Sequence, residues 1–233
     1  MNAPIIALDF PSMEEVSTFL SQFHNETLHV KVGMQLFYKE GPSIIEKLKE
    51  AGHWIFLDLK LHDIPNTVKE AMRSLSSLGV DMVNVHAAGG TNMMEAAIEG
   101  LELGLTGGRA RPLCMAVTQL TSTSEKMLKE ELLIHKEMEL TVLHYAKLAK
   151  QSGLEGIVCS ALEVPTMKQE LKNVITVTPG IRLLGDRADD QTRIVTPAKA
   201  KQLGSDFIVV GRSITRSDNP LAAYERVVAE WQN

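Results

Sequence analysis

The sequence predicts one α/β domain over residues 1–233, a (β/α)8 barrel of the TIM-barrel class. Three observations carry that prediction. Eight short apolar runs rich in Val and Ile recur along the 233 residues, most of them too short for helices. Helical patterns fill the gaps between them. No stretch rich in Pro, Gly or Ser divides the chain, and no short-period repeat or low-complexity segment breaks the alternation. Strict βα alternation at this length favours one closed parallel sheet over a doubly wound open sheet, the main alternative.

Taken in order, the first strand is Pro4–Asp9. Ser12, with Glu15 three residues on, opens a helix over Ser12–Phe23. The second strand, His29–Gly33, precedes a helical pattern over Pro42–Ala51. Trp54–Lys60 is the third strand. Asp63 stands where an N-cap belongs, Pro65 fits the first turn, and the helix runs through Val68–Leu78. Met82–Ala87 and the helix Asn92–Leu103 follow. Gly104-Leu105-Thr106-Gly107-Gly108 resembles a phosphate loop, but it precedes a strand and reads as an αβ connection. Next come Leu113–Thr118, a solvated and partly helical stretch over Lys126–Glu139, and the helix Glu139–Ser152. Gly156–Ser160 with Ala161–Glu170, Val174–Thr178 with Pro197–Gln202, and Phe207–Gly211 with Pro220–Trp231 complete eight units. Thr196 before Pro197 is an N-cap signal. Gly52, Gly79 and Gly204 follow helices at the positions where C-caps favour glycine.

Composition excludes several classes. The chain is 44% hydrophobic and 23% charged, with a net charge of −5 and interspersed signs. It carries no basic footprint for nucleic acid, so a phosphate ligand needs a local basic pocket. Cys114 and Cys159 lie in apolar strand-like runs and read as buried reduced thiols. Two cysteines lack the count and spacing of a metal site. His24, His29, His53, His135 and His144 show no ligand spacing, and Met93, Met94 and Met138 suit helix packing. The start of the chain has no basic n-region, and no apolar run reaches membrane-spanning length. The expectation is a cytoplasmic protein that uses no membrane.

In such a barrel the chemistry sits at the C-terminal ends of the strands. Those ends carry Asp9, Lys31 with Gly33, Asp58 with Lys60, Asn84 with His86, Thr118 to Thr121, Thr178 to Arg182, and Gly211 to Ser213. Residues i and i+2 of a strand share a face, so Asp58 and Lys60 point together, with Asp63 close behind. Two carboxylates around one lysine form a costly cluster that calls for a function. Opposite charges keep such a lysine charged. Arg182 and Gly211-Arg212 follow the last two strands, where barrels often hold phosphate. Gly211 admits a ligand to the backbone, and Arg212 offers a fork of donors. The long segment from Pro179 to Val195 holds Gln191 and the charged run from Asp186 to Asp190, and reads as a lid over the phosphate.

The run Asp58-Leu59-Lys60-Leu61-His62-Asp63-Ile64-Pro65-Asn66-Thr67 resembles the signature of the orotidine 5′-phosphate decarboxylase family. So do Leu8-Asp9, Val30 to Gly33, Thr118 to Thr121, Thr178-Pro179-Gly180-Ile181-Arg182, Gln191 and Val210-Gly211-Arg212. The likeness spans the first strand to the last. It implies a homodimeric barrel that needs no metal or cofactor and converts orotidine 5′-monophosphate to uridine 5′-monophosphate (UMP) and CO2, the last step of de novo UMP synthesis. Carried over by motif, Lys60 is the proton donor to C6, Asp58 lies against the departing carboxylate, and Lys31 ties the array to the ribose. Asp63 and Thr67 reach into the neighbouring subunit's site, and Leu59, Leu61, His62, Ile64, Pro65 and Asn66 belong to the same substrate-binding run. Asp9 binds ribose hydroxyls and Thr121 reads the pyrimidine edge. Arg182, Gln191, Gly211 and Arg212 hold the phosphate. Two rivals remain: a Mg2+-dependent sugar-phosphate decarboxylase or aldolase sharing Asp-x-Lys-x-x-Asp, and a nucleotide-binding barrel without catalysis. The first needs further strand-end acids, and the second strand offers Lys31 instead.

Overall fold

Eight parallel strands close on one another in sequence order, β1 pairing with both β2 and β8. The structure, a computed structural model, describes residues 2–24, 26–185 and 193–232. The strands are β1 Ile5–Ala7, β2 His29–Gly33, β3 Trp54–Leu61, β4 Met82–His86, β5 Leu113–Val117, β6 Gly156–Val158, β7 Ile175–Thr178 and β8 Phe207–Val210. The helices are α1 Met13–Leu20, α2 Met34–Glu40, α3 Ser43–Glu50, α4 Pro65–Ser77, α5 Thr91–Leu103, α6 Glu125–Glu130, α7 Met138–Gln151, α8 Val164–Glu170, α9 Pro197–Gln202, α10 Arg212–Thr215 and α11 Pro220–Gln232.

The alternation within each strand builds two cores. Ile5, Ala7, Phe56, Met82, Met115, Val117, Val158, Val177, Phe207 and Val209 point inward and fill the barrel. Their neighbours Ile6, Leu8, Ile55, Leu57, Leu59, Val83 and Ile208 point outward and pack against the helices. At the N-terminal end Trp54 stacks between His29 and Phe207, with ring centroids 4.8 and 5.8 Å apart. At the close of the chain Trp231 is fully buried and donates its Nε1–H to the Asn2 carbonyl at 2.8 Å, tying α11 to the N-terminal segment.

Every predicted strand is present. Gly52, Gly79 and Gly204 adopt φ of +82°, +75° and +89° just after their helices, as C-cap glycines do. Cys114 and Cys159 are free and buried, and burial pushes both thiols up in pKa. Ser12 caps α1 by accepting from the Glu15 amide.

The Lys126–Glu139 stretch is partly helical, as expected, with α6 capped by Ser124. Two features differ from expectation. A short helix, α2, follows β2 directly. Asp63 is not the N-cap of α4: that position is Ile64, whose side chain makes no cap bond. The Asp63 carboxylate instead accepts from the amide of Ile64 beside it at 2.6 Å. Pro65 fixes φ at the first helical position, so the helix starts one residue later than an Asp63 cap requires.

Candidate active site

At the C-terminal mouth, strand ends enclose a cavity of about 250 Å3. Its floor is apolar: Ala7, Phe56, Val117, Val158 and Val209, inward side chains of the barrel. Asp9, Lys31, Asp58 and Lys60 line it from the ends of β1, β2 and β3, and Arg182, Gly211 and Arg212 from the ends of β7 and β8. Gln119, Leu120, Thr121 and Cys159 complete the wall.

Asp9, Lys31, Asp58 and Lys60 form a chain of ion pairs. Lys31 Nζ lies 3.2 Å from Asp9 Oδ1 and 3.2 Å from Asp58 Oδ2. Asp58 Oδ1 lies 2.7 Å from Lys60 Nζ. Burial alone raises the Asp58 pKa. Lys31 and Lys60, with hydrogen bonds from Lys60 and Asn84, outweigh it and hold the carboxyl below the usual range. For Lys31, burial lowers the pKa but Asp58 and Asp9 outweigh it, and the ammonium is held above the ordinary lysine value.

Lys60 reaches Asp58 by an irregular route. It has φ of +51°, a left-handed conformation that costs a side-chain-bearing residue about 1–2 kcal/mol. The β3–β4 ladder pairs Leu57 with Val83 and then Leu61 with Val85, so a bulge intervenes. Asn84 fills the gap: its Oδ1 accepts the Lys60 amide at 2.8 Å and its Nδ2 donates to Asp58 Oδ1 at 2.7 Å. Asp58 and Lys60 meet as strand alternation predicts, but through the bulge rather than through regular pleating.

The rest of the signature run points elsewhere. Leu59 packs outward in the helix-facing core, and Leu61 packs against that core. His62, Asp63, Ile64, Pro65, Asn66 and Thr67 are all exposed on the rim. None of these eight lines the cavity of its own chain. Among the described residues Lys60 therefore has one carboxylate partner, Asp58, and not the two that the sequence placed around it. The His62 ring sits 5.6 Å from that of His86, whose pKa is lowered by burial and then by the neighbouring His62 and Lys60.

After β7, Arg182 is buried and donates to the Ile181 carbonyl at 2.8 Å. The two ends of the long β7–α9 segment are pinned: Arg182 N–H donates to the Val195 carbonyl and Val195 N–H to the Gly180 carbonyl, at 3.0 and 3.1 Å. Gly180 has φ of +80°, and a Cβ there would stand 2.9 Å from the Arg193 carbonyl, so only glycine fits. Gln191 and the run Asp186–Asp190 lie outside the described residues. Gly211 opens α10 with Arg212 at its first position. Thr118 and Thr178 are buried and spend their hydroxyls on the backbone carbonyls of Val158 and Phe207.

Asn84, expected at a strand end of the mouth, does not line the cavity, and Arg193 and Glu163 had no expected role. Arg193 pairs with the buried Glu163 and also donates to the Leu120 carbonyl at 2.9 Å, joining the β5, β6 and β7 loops. Glu163 also accepts from the Ser160 amide at 2.8 Å. Burial raises the Glu163 pKa, with Arg193 opposing. Partners so far apart in sequence leave no local signal. Among the described residues no three His, Cys, Asp or Glu side chains are grouped to hold a metal ion. No helix there is long and apolar enough to cross a membrane.

A family model described as orotidine 5′-phosphate decarboxylase / HUMPS matches residues 3–227. The chain is 64% identical over 229 residues to orotidine 5′-phosphate decarboxylase of Bacillus mycoides, covering 98% of this chain and 96% of that protein. It is also 64% identical over 234 residues to the protein of that name from a Geobacillus species, covering 100% and 98%. Among solved structures, that of orotidine 5′-phosphate decarboxylase from Lactobacillus acidophilus superposes with a TM-score of 0.89 at 41% identity, covering both chains fully (100% of each).

Proposed function

The chain belongs to the orotidine 5′-phosphate decarboxylase / HUMPS family, and from that membership we propose that it converts orotidine 5′-monophosphate to UMP and CO2 in pyrimidine biosynthesis. The observation that carries the mechanism is the Lys31–Asp58–Lys60 chain in the wall of an apolar-floored cavity that two arginines also line.

The phosphate binds Arg182, Arg212 and the Gly211 backbone, with Gln191 as a further ligand. The ribose hydroxyls meet Asp9 and Lys31, and the pyrimidine lies on the Ala7, Val158 and Val209 floor with Thr121 at its edge. That pose sets C6 beside Lys60 and its carboxylate against Asp58. The C6–carboxylate bond breaks, CO2 leaves, and the electron pair stays on C6, where no carbonyl delocalises it. Barriers of that kind call for the upper part of the range of about 8–23 kcal/mol that enzymes supply. The Lys60 ammonium stabilises the carbanion in place and then delivers its proton to C6, and solvent reprotonates the amine. Asp58 fixes Lys60 and crowds the substrate carboxylate.

No metal takes part in this reading, because the position an acid would need on β2 is held by Lys31. The enzyme works as a cytoplasmic homodimer in which Asp63 and Thr67 complete the neighbour's site. Their exposure on the rim, with Ile64 68% exposed between them, supports that arrangement.

The test is the ultraviolet spectrum of orotidine 5′-monophosphate mixed with EDTA-treated protein. Conversion to UMP at an undiminished rate is expected. Conversion of a sugar phosphate only after Mg2+ is restored would overturn the reading.

A further inference from the structure

Asn84 is the one β4 residue between Val83 and Val85, and it faces the three β3 residues Asp58, Leu59 and Lys60 that separate the paired Leu57 and Leu61. It is 1% exposed and lines no part of the cavity. The bulge costs the Lys60 amide its ladder partner, and the Asn84 side-chain carbonyl takes that place at 2.8 Å. The same carboxamide donates to Asp58 Oδ1 at 2.7 Å. The opposite amide orientation would set donor against donor at Lys60 and oxygen against carboxylate at Asp58, so the two partners fix which way Asn84 points.

We propose that Asn84 is a positioning residue for the decarboxylation: its carboxamide locks the left-handed turn at Lys60 and the orientation of Asp58, and so sets the ammonium–carboxylate array without touching substrate. This rests on the functional reading above and deepens it. A carboxamide alone suits the position. It pairs an acceptor for a backbone N–H with a donor for a carboxylate on one small planar group, and neither leucine nor aspartate does both. The Lys60 turn has no glycine to relax it, so the bond to its amide is what holds the bulge.

Two variants separate the halves of this claim. Asn84→Leu removes both bonds while filling the space. Its kcat for orotidine 5′-monophosphate is expected to fall about a hundredfold, the scale of a catalytic group displaced by about an ångström. The Kd for UMP should stay within about threefold of wild type, because the phosphate and ribose contacts are untouched. Its crystal structure should show Lys60 outside the left-handed region. Asn84→Asp keeps the acceptor for the Lys60 amide but turns a carboxylate onto Asp58. That carboxyl otherwise faces Lys31 from β2 and Lys60 from β3, with His86 beyond on β4 and Asp9 behind Lys31. The acid limb of the kcat profile should move to higher pH.

A folded Asn84→Leu protein that keeps Lys60 left-handed and kcat within about threefold of wild type would overturn the proposal. If Asn84→Leu does not fold, Asn84→Asp decides: a displaced acid limb supports the role, and a profile superposing on wild type refutes it. If wild type itself does not turn over orotidine 5′-monophosphate, the functional reading fails. The Lys60 backbone in the Asn84→Leu structure, or the Asp58 orientation in Asn84→Asp if only that variant folds, still decides the positioning claim.

Discussion

Asp58 serves two cations with one carboxylate, Lys31 on Oδ2 and Lys60 on Oδ1. Its pKa is depressed in the fold, so the stability it contributes is present above the ordinary carboxylate range and is lost as pH falls through the folded value. Lys31 has a raised pKa. Its contribution is full below the ordinary lysine value and is lost as pH rises through the folded one. The array is therefore fully stabilising between those two ranges. Denaturant midpoints taken from neutral pH downward should fall more steeply for wild type than for Asp58→Asn once the carboxylate range is reached. Parallel curves would show that Asp58 carries no such linkage.

At the scale of elements, the loops after β7 and β8 bring Arg182 and Arg212 into the wall of the cavity. Arg212 heads the short helix α10 and is half-buried rather than part of the core, so its removal should spare the fold. Arg212→Ala is expected to lower kcat/KM by about 10²-fold or more with an unchanged melting temperature, since phosphate binding energy also organises the reacting end. An unchanged kcat/KM would remove the phosphate assignment. The strands were legible because buried parallel strands write continuous Val/Ile runs, and their ends lie within three residues of the predicted ones. Helix α2 was not legible: Met34-Gln35-Leu36-Phe37-Tyr38 follows Gly33 with no capping side chain, and Met34 and Tyr38 stay exposed. Asp58, Lys60, Lys31 and Arg212 were legible from strand-end position. The Lys60 bulge was not, because it depends on Asn84, a residue 24 positions away.

For the whole molecule, the exposed run from His62 to Thr67 is the feature a lone subunit leaves unexplained. If Asp63 completes the neighbouring site, Lys60→Ala and Asp63→Ala subunits are each inactive alone. Mixed and allowed to exchange, they should recover about a quarter of wild-type activity, because random pairing gives half heterodimers with one intact site each. No recovery from a mixture shown to exchange would place Asp63 in its own chain's site or outside catalysis. The central claim remains the proton donor, and Lys60→Ala tests it most directly. With orotidine 5′-monophosphate at saturation, followed by ultraviolet absorbance beside a measured UMP affinity, kcat should fall by at least about 10³-fold while UMP still binds. A variant that turns over at a rate comparable to wild type would contradict the account.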